Sequence, residues 1–212
     1  MKNVLRPAKT LCFVLLLAAP LLAQNGLQSQ PAPAVMGPAY DVSAGYTSVT
    51  MPIPGAKNIT VRGLDAGGSI GLSTRWAAIV ESSYARTPSV LGTGHQAYMF
   101  NTQSGPVFYP WEHGSTRLLV RGLAGFAMID GAVPRDNANY FHGWLIRPSF
   151  AFGSGIEHAI ASRFLLRVNA DYLRTSFYSA AGSVQGQNDL RLTMSLALRL
   201  KSRQHRSSPE VQ

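Results

Sequence analysis

Residues 189–200 read "DLRLTMSLALRL". From Leu190 to Leu200 the even positions are Leu190, Leu192, Met194, Leu196, Leu198 and Leu200. The odd positions are Arg191, Thr193, Ser195, Ala197 and Arg199. A strand turns successive side chains to opposite faces, so this segment has one apolar face and one wet face. Whether the leucine face meets a protein core or lipid decides the architecture.

The same alternation recurs upstream. It predicts eight strands at about 40–50, 60–72, 75–87, 95–108, 116–129, 142–157, 163–176 and 187–200. In the fifth segment Leu118, Val120, Ala124, Phe126 and Met128 oppose Arg117, Arg121 and Gly125. In the seventh, Phe164, Leu166, Val168 and Tyr172 oppose Arg163, Arg167, Asn169 and Asp171. The polar face always falls on odd numbers. It carries Asp65, Glu81, Arg117, Arg121, Arg147, Glu157, Arg163, Arg167, Asp171, Arg191 and Arg199. A soluble barrel cannot hold these in its core unpaired, because each buried ion costs several kcal/mol. Leucine on lipid and charge in a shared lumen removes the conflict, and a closed barrel satisfies its own backbone.

Two further patterns favour that inside-out arrangement. Glycines crowd the odd face at Gly45, Gly67, Gly71, Gly125, Gly153 and Gly155, as a narrow lumen holding long arginines requires. Aromatics stand near segment ends: Tyr46, Trp76, Tyr84, Tyr98, Phe108, Trp111, Tyr140, Trp144, Phe164 and Tyr172. That placement suits two interfacial girdles. The expected fold is therefore all-β: an eight-stranded antiparallel up-and-down transmembrane β-barrel.

Connection lengths set the expected orientation. "STR" (73–75), "YPWEHGST" (109–116) and "HAIAS" (158–162) are the shorter set. "MPIPGAKNI", "TPSVLGTG", "IDGAVPRDNANYF" and "SFYSAAGSVQG" are longer on average and richer in Gly, Pro and Asn. Membrane barrels alternate short inner turns with longer outer loops. With the amino terminus inside, the long loops fall outside. Arg86 and Arg174 then lie on the lipid face at the outer ends of their strands, as possible headgroup contacts. The rival reading ends the strand before each of them.

The chain ends carry separate signals. Lys2, Arg6 and Lys9, the run Leu11–Leu17 and the small residues up to Ala23 read as a cleavable secretory signal over 1–23. Residues 24–39 form an uncharged Pro/Gln linker, residues 40–200 the barrel, and residues 201–212, "KSRQHRSSPEVQ", a basic tail. Cys12 is the only cysteine and leaves with the signal, which excludes disulfides and thiol catalysis from the mature chain. Charged residues make up 14% of the chain, against about a quarter in ordinary soluble proteins. The net charge of +9 comes from singly spaced arginines rather than a cluster, so nucleic acid is not an expected partner.

The final hairpin, "NADYLRTSFYSAAGSVQGQNDLRLTMSLALRL" (169–200), resembles the small outer-membrane β-barrel family of the outer-membrane-protein-A and -X type. Asp171, Tyr172, Leu173, Arg174, Thr175 and Phe177 match its DYLRTxF half, and Gln187, Asn188, Leu190, Arg191 and Leu192 its QNxLRL half. "FGSGIEHAIASRFLLRVNA" (152–170) is similar to the family's glycine-rich strand and its return. The resemblance implies the fold, an outer-membrane location, and assembly by the barrel insertion machinery. Members usually finish on an aromatic, where this chain has Leu200.

The expected role is non-catalytic and structural, in envelope integrity, for a monomer in contact with outer-membrane lipid. His95 and His142 fall near the outer rim but in no motif with a serine and an acid, so an outer-leaflet lipid-modifying enzyme is the second alternative. No pair of His, Asp or Glu has ligand spacing on one face, and no cofactor is expected. The first alternative is a narrow pore. Seven arginines against four acids on the odd face leave a surplus of +3 there, which favours anions.

Overall fold

The computed structural model describes residues 40–52, 58–90, 92–132, 143–177, 179–180, 183–184 and 187–201. The segments expected to be signal and linker (residues 1–39), His142, and the tail from residue 202 lie outside them.

The chain forms β1 (Tyr40–Met51), β2 (Ile59–Gly71), β3 (Trp76–Thr87), β4 (Ala97–His113), β5 (Thr116–Asp130), β6 (Leu145–Ala159) and β7 (Phe164–Thr175). A two-residue hairpin, β8 (Ser179–Ala180) with β9 (Ser183–Val184), follows in the last loop. β10 (Gln187–Lys201) closes the sheet. Consecutive long strands pair antiparallel, and β10 pairs with both β7 and β1, so the barrel has no free edge. The opening stretch is thus the closing strand. A path across the strands from Tyr40 passes Ile70, Ala78 and Pro106, crosses to Gly122 between the Ser104–Ala124 and Val107–Arg121 pairs, then passes Phe152, Tyr172 and Leu190 and returns to β1 at Thr50. That ten-residue stagger tilts the strands by roughly 40° to the barrel axis.

Odd positions point inward on every long strand, up to the bulge near the end of β4, beyond which Trp111 turns outward. Even positions present Leu64, Val80, Phe152, Ile156, Leu192 and Met194 to the outside, all about half exposed or more. Leu64, at 72% exposure, has no counterpart in a soluble core. This continuous apolar belt, wrapped around a charged interior, is the surface of a barrel built to sit in lipid. Trp76 packs on Phe108 at 4.8 Å at the turn end, and Trp111 and Phe164 stand at the turn ends of β4 and β7. Tyr84 stacks on Tyr98 at 6.2 Å toward the loop end. These are the two aromatic levels expected at membrane interfaces.

One connection differs from the sequence expectation. Most of "YPWEHGST" is strand, and the turn from β4 to β5 is only Gly114–Ser115. The register slips between Phe108 and Trp111, a bulge at Tyr109–Pro110. Tyr109 donates its N–H to the Arg75 carbonyl at 2.9 Å. Pro110 has no N–H to give, and a bulge is where a strand tolerates that. Gly114 has φ of 58°, in the left-handed region. Gly114→Ala should therefore lower stability by about 1–2 kcal/mol, read from the urea midpoint of the barrel refolded in vesicles.

Candidate functional site

The interior of the barrel is the site that its residues define, and it has three levels. At the loop end it is mostly apolar: Met51 pairs across to Ile59, Met99 to Ile129, and Leu173 and Phe177 close over them, with Thr175, Gln187 and Asp189 buried beside Leu173. All six apolar residues are nearly inaccessible. The middle and turn-end levels are ionic.

The middle level is built on one row of register partners: Arg121 on β5, Gly153 on β6, Asp171 on β7 and Arg191 on β10. Asp171 accepts from Arg121 Nε at 2.8 Å and Nη2 at 2.6 Å, a bidentate pair, and from Arg191 Nε at 2.9 Å. Arg121 Nη1 reaches Glu81 Oε2 across the lumen at 2.8 Å. Arg191 Nη2 lies 2.7 Å from Glu81 Oε1, a charge contact without hydrogen-bond alignment. Two arginines and two carboxylates thus neutralise one another away from water. Asp65 is also inside, and its Oδ1 has no hydrogen-bond partner among the described residues. Gly153 is the gap that makes the row work. Asp171 lies across it to reach Arg121, and a Cβ there would collide with Asp171 Oδ1 and the Ala170 carbonyl. Gly153→Ala should lower stability by about 1–3 kcal/mol, measured by the same urea titration.

The turn-end level repeats the device. Arg117, Glu157 and Arg167 are neighbours on β5, β6 and β7. Glu157 is shared: it takes Arg117 on Oε1, and Arg167 Nε and Nη2 on Oε2 at 3.0 and 2.8 Å. Arg167 also reaches Asp41 at 3.4 Å on the facing wall. The Arg117 guanidinium lies 4.2 Å over the Tyr109 ring, a cation–π contact. The enclosed void between the two levels, lined by Ile79, Val107, Leu119 and Tyr109 among others, has no room for a water molecule.

Several sequence-derived placements change. Arg163 is not in the lumen; it is exposed in the turn before β7, because the strand starts one residue later than the alternation suggested. Arg147 and Arg199 are half-buried near opposite ends, and Arg147 donates to the Ile146 carbonyl at 3.2 Å. Two acids were missed. Asp41 accepts from Ser69 at 2.6 Å, and Asp189 from Thr175 at 2.9 Å; both are buried. Odd parity identifies both, but they stand at strand ends, where the alternation carries least weight. The interior then holds Asp41, Asp65, Glu81, Glu157, Asp171 and Asp189 against Arg117, Arg121, Arg147, Arg167, Arg191 and Arg199. Six acids balance six arginines in number, four of each in ion pairs among the described residues, so the expected cationic surplus is absent. Tyr109 was assigned to a turn and is instead a buried lumen residue.

On the outside, Arg86 and Arg174 are exposed and lie inside their strands rather than beyond them. Arg86 pairs with Arg62 and Tyr98, and Arg174 with Phe150 and Asn188. Arg62 was missed. His95 lies in the loop between β3 and β4. Thr116 Oγ1 and His158 Nδ1 meet at 2.8 Å as outward cross-strand partners, with no carboxylate on the imidazole among the described hydrogen bonds. No group of three or more His, Cys, Asp or Glu suited to a metal ion occurs among the described residues.

No protein-family model and no curated protein sequence matches this chain. Solved structures do. Neisserial surface protein A is 8% identical, with 77% of this chain and 99% of that one aligned at a TM-score of 0.59. Outer membrane protein OprG from Pseudomonas aeruginosa is 9% identical over 78% of this chain and 97% of that one, with a TM-score of 0.55. Ail, the attachment invasion locus protein of Yersinia pestis, is 17% identical over 77% and 99%, with a TM-score of 0.50. The chain has the closed eight-stranded barrel fold of these small outer-membrane proteins.

Proposed function

We propose that this chain is an integral outer-membrane barrel with a structural role in envelope integrity, without catalysis and without conduction. It is exported by its cleavable signal, placed by the barrel insertion machinery, and works as a monomer surrounded by outer-membrane lipid. One observation carries the reading: the lumen is sealed by paired ions beneath an apolar cap. A permeating ion has to break the Glu81–Arg121–Asp171–Arg191 network and then pass Met51, Met99 and Phe177. Loss of the +3 surplus also removes the motive for an anion-preferring pore. The hydroxyl–imidazole contact between Thr116 and His158 lies at the turn end and has no orienting acid among the described hydrogen bonds, so it gives the enzyme alternative no support.

The test has two arms. In the outer-membrane fraction, the unheated protein should run faster on a gel than the heated one. Purified and reconstituted in planar bilayers, it should give no open-channel steps. A soluble periplasmic protein refutes the membrane assignment; stable conductance refutes the sealed lumen. A strain lacking the gene should admit detergents and bulky antibiotics more readily, with its lipid composition unchanged.

A further inference from the structure

On the outer wall, Arg62 of β2 and Arg86 of β3 are direct cross-strand partners. Both are exposed, and neither forms an ion pair among the described residues. Like charges placed opposite each other on a sheet are destabilising unless something neutralises them. Here water is a poor candidate, because the pair stands at the edge of the apolar belt, two register rows above Leu64 and Tyr84 and next to them on the outward face. Just below lies an open, almost wholly apolar groove of about 970 Å³. Its floor is a row of small partners, Ala44, Ala66 and Ser82, and Tyr46, Leu64 and Tyr84 overhang it. Elsewhere the belt carries large side chains at this level, such as Phe150 and Phe152.

A cationic pair above an apolar trough fits one kind of molecule: an anion joined to a hydrocarbon chain. Resting on the outer-membrane reading above, we infer that Arg62, Arg86 and the groove beneath them hold one phosphate-bearing lipid of the outer leaflet. The phosphate bridges the two guanidinia, each able to offer paired N–H donors to its oxygens. Four residues along β2 separate Arg62 from Ala66, about 13 Å of strand, so the acyl chain runs down past Leu64 and lies over the small-residue floor. A free phosphate has no use for the groove, and a protein segment has no reason to meet an arginine pair beside hydrocarbon. Arg174, alone on β7 between Phe150 and Asn188, has no second cation opposite it and is not part of this site.

The full-length mature protein is placed in phosphatidylcholine nanodiscs doped with diphosphoryl lipid A or with the same lipid stripped of its phosphates. After extraction into mild detergent, retained lipid is counted by native mass spectrometry. One phosphorylated lipid should stay bound, and the stripped form should be lost. Arg62→Gln with Arg86→Gln should lower retention at least tenfold, and Ala66→Trp, which fills the groove from the lipid side, should do the same with both arginines intact. Arg174→Gln should leave retention unchanged. Equal retention of the stripped lipid, or no loss in the double arginine variant, overturns the site. So does displacement of the lipid by inorganic phosphate alone, which would make it a free-anion site. The heat-dependent gel shift is recorded for every variant: its presence keeps the barrel reading intact while the lipid result decides this one.

Discussion

Asp171→Asn is expected to lower the unfolding free energy of the barrel by about 3–5 kcal/mol, the usual penalty for removing one partner of a buried ionic group. The side chain keeps its shape, so the loss is electrostatic. Asp171 is fully buried and serves both Arg121 and Arg191. Without its charge, two guanidinia share only Glu81. Urea titration in lipid vesicles, followed by tryptophan fluorescence, reads the change in midpoint. Replacing Glu81, Arg121, Asp171 and Arg191 together by apolar residues of similar volume should recover most of the loss, because no ion then remains buried and unpaired. A single variant at wild-type stability would show that the network is not dry, and with it the sealed lumen would fall.

Phe152→Arg is expected to cost about 2–4 kcal/mol in the same assay, the price of arginine near the middle of a bilayer. Phe152 is central in β6 and 65% exposed. On a soluble barrel an exposed arginine there would be harmless, or would improve solubility. The control is Ile160→Arg, at the turn between β6 and β7, which is expected to cost no more than about 1 kcal/mol at the interface. Equal, small effects at both positions would remove lipid from the account of the belt. The contrast also gives a reason for the native placement of Arg62, Arg86 and Arg174: all three stand toward the loop ends of their strands, where arginine is tolerated.

The two experiments address the two faces of a single pattern. Inward charge is stabilising only in its paired geometry, and outward carbon is stabilising only against lipid. The Arg121–Asp171 pair and the Phe152 belt position therefore fail for opposite reasons, and a fold that was neither membrane-bound nor dry inside would fail neither test.

The alternation of "DLRLTMSLALRL" and its seven counterparts was enough to define eight strands, their order and the face on which each side chain stands. Period two is a local property of the extended chain, so local sequence carries it. Ten of the eleven charged residues assigned to the interior do face it, Arg147 and Arg199 only in part. The exception, Arg163, and the missed Asp41 and Asp189 sit at strand ends, where one residue of strand length changes the outcome. "YPWEHGST" misled for a related reason: Pro and Gly read as a turn, while a bulge lets the strand absorb the proline and carry Tyr109 into the lumen. What parity could not supply is who meets whom. Glu81 reaches Arg121 and Arg191 from across the lumen because the sheet closes with a stagger of ten residues, from Tyr40 to Thr50, and Arg62 meets Arg86 outside through the register of the β2–β3 hairpin. Stagger is a property of closure, summed over all the strand pairs of the barrel, and no single segment contains it. The sequence by itself determined a charged inside and a leucine outside; only the closed barrel decided that the charges cancel, that the lumen is sealed, and that two arginines stand together above an apolar groove.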